Sequence, residues 1–383
     1  MDIKHTGAAF GLYGQDGGYN DTRDVLVTST TDGVDLNDLW DEYQATVAIA
    51  NAQRQALIDF LSFPVTNNIE TVTQLSGAKF ERASEYGEPR GARQRPAAFS
   101  LGYDFGWYDL ANRYTWQFLA DADVAQVNAN HSAALQGHNE LVFELVLSAL
   151  YGGNTNRETD VDGQIIAVKG LYNADGTVPP TYKTNTFDGT HNHYMVSGAA
   201  VIDSGDLDDL FEQLRHHGYD KSNGVQQIVA VNSREGKVIR QFRVANGDTY
   251  DFIPAAGEPM DQILDPGQQL GGGGRISSTY AGLRAIGTYG EMIIVEDDLF
   301  PVGYVLNVGS GGAANLNNPV GIREHKNASL RGLRLVKGRD ADYPLIDSFY
   351  NVGLGTGIRQ RGGAAVMQIK ASGSYAPPAQ YLP

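Results

Sequence analysis

Apolar positions recur along this chain with spacings that change from segment to segment, and the changes predict its elements. Leu39, Trp40, Tyr43, Val47, Ile49, Ala50, Leu57, Ile58 and Leu61 form a broad helical face that Asp35 or Asn37 can cap and Pro64 ends. Residues 64–120 then read as two long strand-like runs joined by a tip, Tyr86-Gly87-Glu88-Pro89-Arg90-Gly91. The outgoing run, 69–85, alternates weakly and would extend roughly 55 Å at ~3.3 Å per residue. The return run carries Phe99, Leu101, Tyr103, Phe105, Trp107, Tyr114, Trp116 and Phe118. A two-stranded ribbon is marginal in water, so one this aromatic needs another surface, and a second copy of the chain is the expected one. A long helix of about eight turns follows, with Asp121 as its N-cap and Asp123 complementing the positive end of its dipole. Its buried stripe is Val124, Val127, His131, Leu135, His138, Leu141, Val142, Leu145 and Ala149, and Gly152-Gly153 ends it.

Beyond the long helix, Asp-Gly and Pro-Pro signals around the apolar run 164–171 predict a hairpin and a loop. Strands then alternate with a helix: a strand over 194–201, a helix over 205–217 with Leu207, Leu210, Phe211 and Leu214 inward, and buried strands over 225–231 and 292–295. This is a compact mixed unit of roughly 120 residues, interrupted by a Gly-rich loop at 267–274. Extended structure returns over 321–336, 345–357 and 364–371, the last apolar enough to lie inside a sheet. The first 35 residues, rich in Gly, Asp and Thr, read as an arm without a core of its own. The fold class is therefore α+β, without a repeat at solenoid spacing.

At 383 residues and 42% hydrophobic content, the chain can bury real cores. No run approaches the ~18 apolar residues of a bilayer span, and Met1-Asp2-Ile3-Lys4-His5 lacks a signal-peptide pattern, so no membrane role and an intracellular origin are expected. The absence of cysteine removes disulfides, thiolate catalysis and cysteine-ligated metals together. A formal net charge of -16 argues against a general nucleic-acid binder. The charge is uneven: residues 16–42 are Asp-rich, whereas the ribbon carries Arg82, Arg90, Arg93 and Arg95. Head-to-tail docking between copies and a simple solvated loop both fit that contrast.

Candidate chemistry is sparse. His191 and His193 would share one face of a strand and invite a zinc reading, but no third ligand stands in register and His216-His217 lies in another segment. Glu158, Asp160, Asp162 and Gly163 begin like a calcium loop, yet Lys169 occupies the position that needs a bidentate Glu. Gly271 to Gly274 followed by Arg275 lacks the Lys-Ser/Thr ending of a phosphate loop, and Gly353, Gly355 and Gly357 miss the dinucleotide spacing. The pairs Asp208-Asp209 and Asp297-Asp298 look solvent-facing, and no serine sits in a nucleophile elbow. The expectation is a protein that is not an enzyme and needs no cofactor; a metal-dependent enzyme using His191 and His193 is the alternative of a different class.

Arm, helix, ribbon with a basic tip, long helix, compact α/β unit and return strands form an order that resembles the major capsid proteins of tailed bacteriophages with the Hong Kong 97-type fold. Local echoes are residues 122–150, the run 287–304, and 353–359 with 362–369. The resemblance implies an N-terminal arm and helix at 1–63, an extended loop at 64–120, a peripheral domain with its spine helix at 121–190, an axial domain at 191–318, and return strands at 319–383. It implies a shell subunit forming pentamers and hexamers of an icosahedral head around double-stranded DNA, assembled in the host cytoplasm. Scaffold, portal and decoration proteins would be further partners, with weak non-specific contact to DNA. An encapsulin-like compartment shares the architecture and is the nearest alternative. Contacts between copies fall to Arg82, Arg90, Arg93, Arg95, Phe99, Tyr103, Trp107, Tyr114 and Trp116. Some members of that family join a lysine of the loop to an asparagine of a neighbour beside a glutamate. Lys79 is the only ribbon lysine here, with Asn351, Asn327 or Asn318 as acceptor and Glu324 or Glu144 as the carboxylate.

Overall fold

The computed structural model describes residues 27–74, 97–152, 157–161, 164–256, 275–280, 283–338 and 345–381. Lys79, Arg82, Arg90, Arg93, Arg95 and the glycine run 271–274 lie outside them, as do the side chains of Phe99 and Leu57. The chain divides into two compact units, one of Met1–Thr46, Asp109–Ala134 and Leu335–Tyr350, the other of Val47–Tyr108, Leu135–Arg334 and Asn351–Pro383.

In the smaller unit, helix α1 (Leu36–Leu61) begins at Asp35, whose carboxylate accepts the Asn37 N–H at 2.7 Å, so Asp35 rather than Asn37 is the cap. Leu39, Trp40, Tyr43 and Val47 are buried, as their spacing predicts, and Leu36 joins them, but Ile49 further along the helix is 56% exposed. The long helix starts later than expected. Thr115 caps a separate turn, α2 (Trp116–Asp121), by accepting the Phe118 N–H, and Ala122 breaks it with an extended backbone. Helix α3 (Val124–Tyr151) is capped by Asp123, which accepts the Gln126 N–H at 2.9 Å. Asp121 therefore ends one helix and does not begin the next. Val127, His131, Ala134, His138 and Val142 form the buried stripe; past Val142, Val146, Leu147 and Leu150 replace the predicted Leu145 and Ala149.

The larger unit holds a sheet whose core strands run in the order β11 (Leu283–Tyr289), β12 (Met292–Glu296), β8 (Gln226–Val231), β13 (Tyr304–Ser310), β17 (Ala364–Gln368) and β7 (Tyr194–Val196). Strands β10 (Thr279–Tyr280) and β9 (Phe252–Pro254) both pair with β11. Helix α4 (Ser204–Arg215) lays Leu207, Leu210 and Leu214 on Val229, Val231, Val305, Ala365 and Met367, so the central strands are apolar on the covered face. Its start is a capping box: Asp203 accepts the Asp206 N–H while Asp206 accepts the Asp203 N–H. Helix α5 (Ser233–Ile239) starts at Asn232, whose side-chain oxygen accepts the Arg234 N–H at 3.1 Å. Strand β7 is shorter than the predicted 194–201 because Gly198 turns the backbone to φ 75°, and the Ser197 hydroxyl bonds the Ala199 carbonyl.

A second sheet orders β1 (Ser62–Val65), β14 (Val320–Glu324), β16 (Asp347–Ile358) and β15 (Arg334–Lys337), with β4 (Gly106–Arg113) also paired to β16. Pro64 lies in β1, at the sheet's edge, where a missing N–H costs little. Two hairpins stand apart from these sheets: β2 (Ile69–Gln74) with β3 (Ala97–Gly102), and β5 (Arg157–Val161) with β6 (Gln164–Val168). Asp160 thus belongs to a strand and not to a calcium loop.

The aromatic return run is not one strand. It leaves the ribbon at Gly102, crosses β16, continues as β4, and ends as the turn of helix α2. The reason is on β16. A Cβ at Gly355 would fall 2.0 Å from the Asp104 carbonyl oxygen, one at Gly357 2.6 Å from that of Gly102, and one at Gly353 2.6 Å from the Trp107 ring. Alternate glycines clear one face of the strand for a crossing backbone, which the Asp104 N–H then fixes by donating to Thr356 O at 3.1 Å.

Candidate assembly surfaces and histidine centre

Of the aromatic residues expected to touch a neighbour, Trp107 and Trp116 are presented to solvent at 47% and 51% exposure. Trp107 is held edge-on by Phe105 at 5.4 Å, with His325 at 5.7 Å and the Arg334 guanidinium at 5.9 Å. Such a fixed, amphipathic ring loses little entropy on docking. Tyr103 and Tyr114 correct the expectation, since both are buried inside their own units. Tyr103 is wholly enclosed: its ring lies against Gly321, and its hydroxyl donates to Glu70 at 2.8 Å, which Arg359 also holds at 2.8 Å. Burial, and then Glu70, push that phenol far above its ordinary range. Tyr114 stacks on Phe118 at 5.4 Å, its N–H donates to Ile346 O, and its hydroxyl accepts from Asn112. Sequence spacing did not single out Leu316, Tyr250 and Ile253, which are also about half exposed. No periodic signal marks them, because they lie in short strands and turns.

The asparagines separate clearly. Asn318 is fully buried and spends its amide on Ser62 O and Gly312 O, both at 2.9 Å, so it is no acceptor for a neighbouring lysine. Asn327 caps a short turn by accepting the Ser329 N–H. The Asn351 amide oxygen accepts from Arg334. Glu144 is exposed and Glu324 half-buried.

The histidines require a larger correction. Residues 172–174 and 191–193 pair through His193 N–H to Tyr172 O at 2.7 Å and Ala174 N–H to His191 O at 3.0 Å. Buried Arg361 fixes this loop by donating to Gly170 O, Leu171 O and the Asp175 carboxylate. Burial alone would raise the Asp175 carboxyl, but the bonds and charge of Arg361, with Thr177, outweigh it and hold it well below the usual range. The pair of α4 with the sheet then delivers His217, just past the helix end, to the same point. The Nε2 atoms of His191, His193 and His217 lie 3.1, 2.8 and 3.0 Å apart pairwise. The third nitrogen that local spacing lacks thus comes from 24 residues beyond His193.

No family model and no curated protein matches the chain. Among solved structures it is similar to a protein of Mycobacterium phage Patience, with 46% identity over 93% of this chain and 94% of that one, at a TM-score of 0.71. Two weaker likenesses are the bacteriophage PhiM1 mature capsid (11% identity, 82% and 86% covered, TM-score 0.47) and the encapsulin complex of Synechococcus elongatus PCC 7942 (12%, 83% and 88%, 0.44). Nearly half of all positions are shared with that mycobacteriophage protein along almost the entire length of both chains, and the α+β order of arm-side helix, ribbon, long helix and sheets is present. The chain therefore belongs to the major capsid proteins of tailed bacteriophages, with the Hong Kong 97-type fold.

Proposed function

We propose that this major capsid protein builds the pentamers and hexamers of an icosahedral head around double-stranded DNA, and that its role is structural and not enzymatic. The observation that carries the reading is the 46% identity to a mycobacteriophage protein over 93% of this chain and 94% of that one. The division into an N-terminal arm (1–63), an extended loop (64–120), a peripheral domain (121–190), an axial domain (191–318) and return strands (319–383) belongs to the same proposal. In it, Trp107 and Trp116 supply apolar burial at ~25 cal/mol per Å², while Arg82, Arg90, Arg93 and Arg95 orient the loop on acidic partners. The net charge of -16 keeps packaged DNA from adhering to the shell. Assembly takes place in the host cytoplasm, with scaffold, portal and decoration proteins as partners.

Expression of the full chain with neighbouring scaffold and protease genes, followed by electron microscopy, is the direct test. Closed particles are expected, and persistent soluble monomers would defeat the proposal. Particle content separates the phage head from an encapsulin-like compartment: DNA and a portal for the first, a cargo enzyme for the second. The Lys79 to Asn351 link is read from denatured particles, where monomer mass alone excludes it.

A further inference from the structure

The three histidines form a centre that the shell function does not use. His193 is fully buried, and its Nδ1–H donates to the Ala364 carbonyl at 2.7 Å, which places the bare lone pair on Nε2, facing His191 and His217. The Gln213 amide nitrogen stands 3.2 Å from His191 Nε2 and also donates to Asn192 O. With a Gln213 hydrogen on His191, only His217 has an Nε2–H to offer, and one hydrogen serves one edge of the triangle. The edge between His191 and His193 then sets lone pair against lone pair at 3.1 Å, an arrangement that costs free energy unless a cation stands among them, the Gln213 amide keeping its bond to Asn192 O when one does.

We propose that His191, His193 and His217 bind one zinc ion through their Nε2 atoms, with water in the fourth position, as a structural staple of the larger unit. Zinc–imidazole bonds of about 2.0–2.1 Å place the ion about 1.1 Å off the plane of nitrogens 2.8–3.1 Å apart, and an outward shift of a few tenths of an ångström makes the site tetrahedral. Three neutral imidazoles without a carboxylate or thiolate select a borderline first-row ion over calcium or magnesium. Their neutrality is supported by the surroundings. Burial, followed by the neighbouring histidines, holds His217 at about 3 and His193 well below its ordinary value, and burial with His216 lowers His191. Asp188 opposes this at His191, and Arg361, paired with Asp175, adds to it at His193. The negative end of α4 lies just before His217 and favours a cation there. Phe187 stacks on His217 at 4.3 Å and Tyr172 at 5.8 Å, fixing the ring. His191 and His217 are only half-buried, which leaves a route for the ion.

The staple would tie the end of α4 to β7, the three-residue edge strand of its sheet, and to the carbonyl of Ala364 on β17. In a chain without cysteine, it would be a cross-link within the subunit that no disulfide can supply. The test uses tag-free full-length protein stripped with a chelator and titrated with Zn2+ and, separately, Co2+. One equivalent of Zn2+ per chain is expected, with a raised melting temperature that chelator reverses and with the intense visible bands of tetrahedral cobalt. His191→Gln, at a half-exposed position, and His217→Gln should each weaken Zn2+ at least tenfold, while His216→Ala leaves it unchanged. Absence of stoichiometric Zn2+ binding by the wild type overturns the proposal. Binding that survives both glutamine variants, or that His216→Ala weakens equally, overturns it as well.

Discussion

At the scale of residues, the glycines of β16 and His131 of α3 make opposite demands on their surroundings. Gly355 leaves room for a backbone oxygen that a Cβ would meet at 2.0 Å. Gly355→Ala is therefore expected to destabilise the subunit by about 1–3 kcal/mol or more, read as a lower midpoint in urea unfolding. His131 is enclosed by Tyr43, stacked at 3.9 Å, and bonded to Thr46 at 2.6 Å and Tyr350 at 2.5 Å, with no charged partner among the described residues. Burial lowers it to about 4. Below its ordinary value of 6.5 the unfolded chain takes a proton that the folded one refuses, so stability should fall as pH drops from 6.5 towards 4 and level off below. The loss is at most about 3 kcal/mol. His131→Gln should flatten that part of the pH–stability profile, and a slope equal to wild type would refute the assignment. His131 was legible as a buried helical position, but its partners were not, since Thr46 and Tyr350 lie far from it in sequence.

Among the elements, the helices were legible because their signals are local. The Asp35 cap, the 39–40–43–47 spacing and the inward leucines of α4 are each signals confined to a few turns. The start of α3 was misplaced by the competing cap at Thr115, a residue whose hydroxyl decides the matter only in three dimensions. Gly137 tests the local account. It sits exposed in the middle of α3 with nothing within 4 Å of a built Cβ. Gly137→Ala should stabilise the isolated subunit by roughly 0.5–1 kcal/mol, seen as a higher melting temperature, whereas an unchanged or lowered value would mean that the space is filled. The aromatic return run was the hardest element to read, because strand, crossing and helix share one alternating pattern until the cleared face of β16 sorts them.

For the whole molecule, exposure and burial divide the predicted contact residues between assembly and folding. Trp107 and Trp116 are open, while Tyr103 and Tyr114 belong to the subunit's own cores. Trp116→Ser should leave subunit unfolding close to wild type, Trp107→Ser, which loses its Phe105 and Arg334 contacts, should cost roughly 1–2 kcal/mol, and both should reduce the yield of closed particles. Sedimentation and electron microscopy read the yield; undiminished assembly by the double variant would remove these rings from the interface.

The sequence by itself determined the α+β class, the order of elements, the absence of thiol chemistry and the acidic balance, since composition and periodicity are properties of neighbours along the chain. Only the tertiary structure decided which aromatics are buried, why glycines alternate at 353, 355 and 357, and that His217 joins His191 and His193. Each of these depends on a helix or backbone brought across a sheet from a distant segment, and no local spacing encodes such an encounter.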